Sequence, residues 1–230
     1  MAIARGNVGN WSAIGPGDPL TQAYDSGTLG SDRYLVVCIW IFTTSDLVTG
    51  VTYAGNSMTQ LAKYQGIAQG GTYQYFYGIA APTTGSNDIV IDGSSTLPLN
   101  TWVGAVTYTG VKQTAQPDST ANTNRTSPTS GDFTVTTTTV ADNSWILMME
   151  SDNNGNMAAT ANSTKITTWS AGFGTQIFDS NGPKTPAGSN TITVNGANGG
   201  SQDGFVVSLA PAVSVAVSSV APTLLLMGVG

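Results

Sequence analysis

Hydrophobic positions fall in short runs separated by Gly, Pro, Asn and Asp, and nowhere do they recur at the spacing of an amphipathic helix over three turns. β-Branched and aromatic residues dominate these runs, which predicts strands bounded by turns. Residues 33–42 are almost continuously apolar, as expected of a central strand covered on both faces. Residues 48–53 and 58–64 flank the turn Ala54-Gly55-Asn56. Residues 72–79 alternate, with Tyr73, Tyr75 and Tyr77 on one face and Gln74, Phe76 and Gly78 on the other. Strands at 88–91 and 101–108 complete the first half. Beyond a Thr/Ser/Pro-rich stretch the pattern predicts strands at 133–138, 144–149, 165–169, 175–179, 190–194 and 204–209. The expected fold class is all-β, a sandwich or barrel.

The chain also carries a weak internal echo. Segments beginning Ser31-Asp32, Pro82-Thr83 and Trp102-Val103 are paralleled, in the same order, by segments beginning Ala141-Asp142, Pro186-Ala187 and Gly204-Phe205, at a spacing of roughly 100–110 residues. Two architectures satisfy this. The halves 24–111 and 131–210 could close into one jelly-roll-like sandwich of two Greek keys, or stand as two small Ig-like sandwiches in tandem. The second half holds few large apolar residues, which favours the first. The expected organisation is an N-terminal arm at 1–23, a single sandwich domain at 24–210 with a polar linker at 112–130, and an extended C-terminal tail at 211–230.

That tail alternates Val213, Val215 and Val217 with small residues, continues to Leu224, Leu225, Leu226 and Met227, and carries no charged side chain. Exposed in water it would be an aggregation hazard, so these residues are expected to dock on a partner.

Charged residues make up only 9% of the chain, against about 25% in typical globular domains. Thr, Ser, Asn and Gly fill the deficit, a neutral-polar surface suited to exterior or particle-forming β proteins. The net charge of -6 and only seven Lys and Arg give no means of displacing counterions from phosphate, so nucleic acid and anionic membranes are not expected partners. Cys38, the single cysteine, lies in an apolar run and reads as a small buried hydrophobe. The first residues lack the apolar run of a secretory signal, and no stretch is long and apolar enough to span a bilayer.

Four features of the chain look familiar. They are a strand following Ser31-Asp32-Arg33, the segment Val51-Thr52-Tyr53-Ala54-Gly55-Asn56-Ser57-Met58-Thr59, the segment Tyr75 to Pro82, and Val106-Thr107-Tyr108-Thr109-Gly110-Val111. Together they resemble a family of β-sandwich modules found in tailed-phage particle proteins and some bacterial surface proteins. Tyr53-Ala54-Gly55 departs from the family's double glycine. The resemblance spans roughly 24–210 and rests on turn and core motifs. It implies a structural or adhesive module with no catalytic residues to carry over.

The chemistry of the side chains agrees. The chain has no histidine, which removes Ser-His-Asp and Cys-His catalysis and His-ligated zinc. No phosphate loop and no nucleophile elbow occur, so no enzyme activity and no cofactor are expected. Glu150, Asp152 and Asn154 alternate before Gly155 as in a calcium loop, but the first ligand is Glu and position twelve is Ala161, so a plain turn is the better reading. Trp40, Trp102 and Trp145 lie in apolar strands and are expected in the core. Trp11 and Trp169 lie in polar settings and are the candidate glycan contacts. The expected function is a virion structural protein of a tailed phage: a capsid decoration, head-fibre or tail-associated protein. It would be made in the host cytoplasm and would pair with itself, a trimer being compatible, and with a capsid or tail protein. The alternative is a carbohydrate-binding or adhesive surface module.

Overall fold

The computed structural model describes residues 1–12, 14–28, 30–126, 131–152, 157–169, 174–196 and 200–213. The first half contains β1 (Ala4–Trp11), β2 (Leu20–Asp25), β3 (Tyr34–Ile41), β4 (Val48–Tyr53), β5 (Asn56–Ser57), β6 (Thr59–Gly66), β7 (Thr72–Ala80), β8 (Ser86–Gly93) and β9 (Thr101–Thr109), with one 3₁₀ turn at Ala68–Gly70. The second contains β10 (Ser119–Arg125), β11 (Gly131–Thr139), β12 (Trp145–Asp152), β13 (Ala158–Ala159), β14 (Thr164–Trp169), β15 (Gly174–Asp179), β16 (Gly188–Gly196) and β17 (Gln202–Leu209).

These form four antiparallel sheets. The first half gives a five-stranded sheet, β1-β9-β3-β7-β6, and a four-stranded sheet, β2-β8-β4-β5. The second gives a five-stranded sheet, β10-β17-β12-β15-β14, and a three-stranded sheet, β11-β16-β13. Among the described residues every ladder joins strands of one half, and the pairings nest. β1 pairs β9, β2 pairs β8, β3 pairs β7 and β4 pairs β5. In the second half β10 pairs β17, β11 pairs β16 and β12 pairs β15. Each half thus builds its own pair of sheets, whereas the favoured sequence reading has both halves share one.

The alternation of side chains along β3 and β12 explains the stacking. Tyr34, Val36, Cys38 and Trp40 face the second half and pack with Leu147, Met149, Ile177, Phe205 and Val207 in one core between the two five-stranded sheets. Leu35, Val37, Ile39 and Ile41 face the other way, onto Leu20, Tyr24, Val51, Tyr53 and Ile91 of the four-stranded sheet. Ile146, Met148, Phe178 and Val206 likewise meet Phe133, Val135, Ile192 and Val194 of the three-stranded sheet. The result is four layers with three apolar fillings. β3 must be apolar at every position because both of its faces are covered.

The five-stranded sheets stack with their strand orders reversed. Edge strand β1 lies by β14, where the Thr167 hydroxyl donates to Asn10 Oδ1 at 3.3 Å. Edge strand β6 lies by β10, where Asn124 Nδ2 donates to the Tyr64 hydroxyl at 3.1 Å. The Tyr108 and Trp145 rings meet edge-on near the start of β12, and Trp40 Nε1 donates to Ser151 Oγ near its end. β3 and β12 therefore run in the same direction, and corresponding loops of both halves emerge at the same poles.

The expected arm at 1–23 holds β1 and part of β2, and the expected linker at 112–130 holds β10. β1 and β10 expose most of their side chains or bury alternate ones only partly. They are held by ladders to β9 and β17 rather than by apolar burial.

Candidate functional site

One pole gathers the chain's entry, the crossing between halves and the start of the tail. The Met1 ammonium donates to the Ala212 carbonyl at 2.9 Å, and the Ala212 amide donates to the Gly110 carbonyl at 2.8 Å. The Lys112 amide donates to the Ala210 carbonyl at 3.0 Å, and Val111 and Pro211 form a bridge. The Gln116 side chain closes the knot, donating to the Ala210 carbonyl and accepting the Ala210 amide. Val213, the first of the predicted docking residues, leaves this knot 83% exposed. Val215, Val217, Leu224, Leu225, Leu226 and Met227 lie outside the described residues.

The seam between the halves is stapled by two buried carboxylates that the sequence reading did not single out. Asp203 on β17 accepts the amides of Ile67 at 3.1 Å and Ala68 at 2.7 Å, both in the first half. Asp179 on β15 accepts from Arg5 at 2.8 Å and from the Tyr108 hydroxyl at 3.2 Å, and also from its own neighbour, the Asn181 amide. Burial raises the pKa of both acids above the ordinary carboxylate value, and the donors around them oppose that rise. The available signal was an acid at the end of a strand whose neighbours are all core residues.

The opposite pole of the second half holds a different acidic pair. Glu150 and Asp152 do not form a turn. They close strand β12, fully buried, and as alternate residues they share its outer face. Glu150 stands opposite Gln176 on β15 and Gly204 on β17, and Asp152 stands opposite Gln202. Gln202 Nε2 donates to Asp152 Oδ2 at 2.9 Å and is held in turn by Arg125 through its Oε1. Neither oxygen of Glu150 has a hydrogen-bond partner. Burial pushes its pKa well up, Asp152 and Asp203 add to the rise, and Lys165 and Arg125 work against it. Asn154, the third candidate ligand, lies outside the described residues. Among the described residues no three acidic, histidine or cysteine side chains form a metal-binding group.

The aromatic candidates divide. Trp40 and Trp102 are buried and Trp145 is half-buried against the central core, as expected. Trp11 is also half-buried, edge-on to Tyr24 with ring centroids 6.2 Å apart, and together they line a groove of ≈ 400 Å³ between β1 and β2. Trp169 ends β14, and its side chain lies outside the described residues. The hydroxyls of Tyr73, Tyr75 and Tyr77 are spent on Gln65, Asp46 and Gln60. A groove of ≈ 510 Å³ beside β1 is lined by Arg5, Asn7, Asp25, Ser26, Thr28 and Thr107 among others, with no aromatic ring. Cys38 is fully buried, and burial pushes its thiol pKa up, so it lacks the thiolate character of a nucleophile.

Compared with protein families, curated proteins and solved structures, the chain matches none. What it presents is an all-β stack of antiparallel sheets with its chain crossings at one pole and its buried, unsatisfied acid at the other.

Proposed function

We propose that this chain is a non-enzymatic structural protein of a tailed-phage particle, a capsid decoration, head-fibre or tail-associated protein, and that it docks by the pole from which its apolar tail leaves. The supporting observation is the knot of Met1, Gly110, Lys112, Ala210 and Ala212. It fixes the tail's origin by backbone hydrogen bonds at the pole where the halves are joined, and directs Val213 outward. The backbone is held up to Ala212 and leaves Val213 at the surface, where a partner can reach it. Burial of about 800 Å² per partner is the usual scale of specific association.

The same reading takes each half as one jelly-roll-like unit and the two halves as pseudo-repeats. The nested pairings and the shared order of the five-stranded sheets support it. The paired units make a stiff, neutral-polar body of the kind a particle exterior uses.

The test compares the full chain with residues 1–213, which keep the knot intact. Sedimentation velocity and electron microscopy should show the full chain self-associated or bound to particles. The shortened chain should be monomeric with an unchanged melting temperature. Equal assembly by both would sink the proposal.

A further inference from the structure

We propose that the buried polar cluster of Glu150 and Asp152, on the face of β12 that meets the outer sheet of the second half, is a divalent-cation site that takes Ca²⁺. Glu150 is fully buried, and both of its oxygens lack a hydrogen-bond partner. An isolated buried carboxylate is among the costliest arrangements a protein can hold, and its charge needs a partner. Asp152 lies on the same face one pleat repeat away, about 6.5–7 Å along the strand, close enough for both carboxylates to reach one ion. The amide-bearing side chains of Gln176 and Gln202 lie opposite on the flanking strands, on the same face.

The fold does not require this polarity. β3 and β12 are both eight-residue central strands, and each sends alternate side chains into its own outer sheet pair. The seats held by Glu150 and Asp152 in β12 are held in β3 by Ile39 and Ile41, both fully buried in apolar surroundings. Ile39 stands opposite Tyr75 and Val103 where Glu150 stands opposite Gln176 and Gly204. The second half has thus exchanged an apolar filling for oxygen donors at one end of one layer.

The donor set selects the ion. The carboxylate oxygens of Glu150 and Asp152 and the amide oxygen of Gln176 are hard ligands, while Gln202 holds Asp152 through its Nε2 with its Oε1 on Arg125, and donors borne on two strands suit the flexible coordination of Ca²⁺ better than the near-ideal octahedron of Mg²⁺. Zinc would want histidine or thiolate. The chain has no histidine, and Cys38 faces the central core instead. Two cations act on this cluster. Lys165 Nζ sits 5.6 Å from the Phe178 ring centroid, and Arg125 packs over Phe133 and bonds Gln202. Neither forms an ion pair with Glu150 within 4.0 Å, but their field weakens the site. The expected affinity is therefore in the range of extracellular calcium modules, about 10⁻⁴–10⁻³ M.

The test is thermal unfolding of the full chain in EDTA, in Ca²⁺ and in Mg²⁺, with equilibrium dialysis against radioactive Ca²⁺. The wild-type chain should melt about 3–10 °C higher in about 10 mM Ca²⁺ than in EDTA, with a much smaller response to Mg²⁺ and one Ca²⁺ bound per chain. Glu150→Gln and Asp152→Asn should lose that response. Glu150→Ile, which copies the first half, should fold, keep its melting temperature in EDTA and bind no Ca²⁺ at this site. This last variant decides the matter if the other two fail to fold. A wild-type chain indifferent to Ca²⁺, or a Glu150→Ile chain that responds as the wild type does, would overturn the proposal. In that event Glu150 is simply a buried neutral acid.

Discussion

Asp203, on the inner face of the second half, accepts the backbone amide of Ala68, on the first half, at 2.7 Å, and the neighbouring amide of Ile67 at 3.1 Å. The 3₁₀ turn at Ala68–Gly70 leaves these donors without partners in their own sheet, so one carboxylate across the seam satisfies both. Asp203→Ala should strand two amides and cost about 2–4 kcal/mol in chemical denaturation. Asp203→Asn keeps one acceptor oxygen and should cost about half as much. Gly66→Ala should resemble the first variant, because a Cβ there would fall on the Asp203 carboxylate. A loss below 1 kcal/mol for Asp203→Ala would mean that the staple is dispensable.

The second staple is testable as a pair. Arg5 reaches from edge strand β1 to Asp179, which is fully buried, while the guanidinium side chain remains about a third exposed. Arg5→Met leaves the buried acid with only the Tyr108 hydroxyl and the Asn181 amide. It should cost about 1–3 kcal/mol, while the double variant with Asp179→Asn should cost less than the sum of the two singles by about 1–2 kcal/mol. Strict additivity in the cycle would show that the two groups do not act together.

Most strands with buried faces were legible in the sequence, β2 with its buried Leu20 and Tyr24 being an exception, and strands held by their backbones were not. The run containing Tyr34–Ile41 announces β3 because only a strand covered on both sides can be apolar throughout, and the tyrosine alternation of β7 survives with Phe76 on the opposite face. Ala4–Trp11 and Ser119–Arg125 were invisible because edge strands that bury little need no apolar pattern. The pattern also stopped β12 at Met149, since Glu150-Ser151-Asp152 reads as a turn until the flanking-strand neighbours Gln176 and Gln202 are known. The stacking of the two halves was hidden for a related reason. The residues that join them, Asp179 and Asp203, are acids that sequence patterning sends to the surface.

Stability should rise as pH falls from neutral toward 5 in EDTA. Glu150, Asp179 and Asp203 all have folded-state pKa values raised by burial. Between the ordinary carboxylate value and the raised one, the folded state holds more protons than the unfolded state. Each group's contribution is therefore fully present below the ordinary value and is lost as pH rises through the raised one, with a slope of at most about 1.4 kcal/mol per pH unit per group. Glu150→Ile should remove its share of that slope, and saturating Ca²⁺ should flatten it in the wild-type chain. Tyr34 and Tyr77, pushed by burial up to about 12, add a slope of the same sign above the ordinary tyrosine value of about 10. Urea midpoints across this range check the sign. A midpoint that falls on acidification from 7 to 5 contradicts it.

Cys38 can report whether the halves ever part. Its thiol is fully buried and points into the core shared by both five-stranded sheets, beside Val36 and Trp40 from its own strand and Leu147, Met149 and Phe205 from the other half. A disulfide reagent can reach it only by opening that core. If the seam is as cooperative as the cores within each half, the opening free energy from labelling rates in dilute urea should equal the unfolding free energy from denaturation. Equality is the expected outcome, because both faces of β3 are needed to cover a strand with no polar position to leave in water. Asp203→Ala should then lower both quantities together. An opening energy several kcal/mol below the global value would instead mean that the halves separate as intact units.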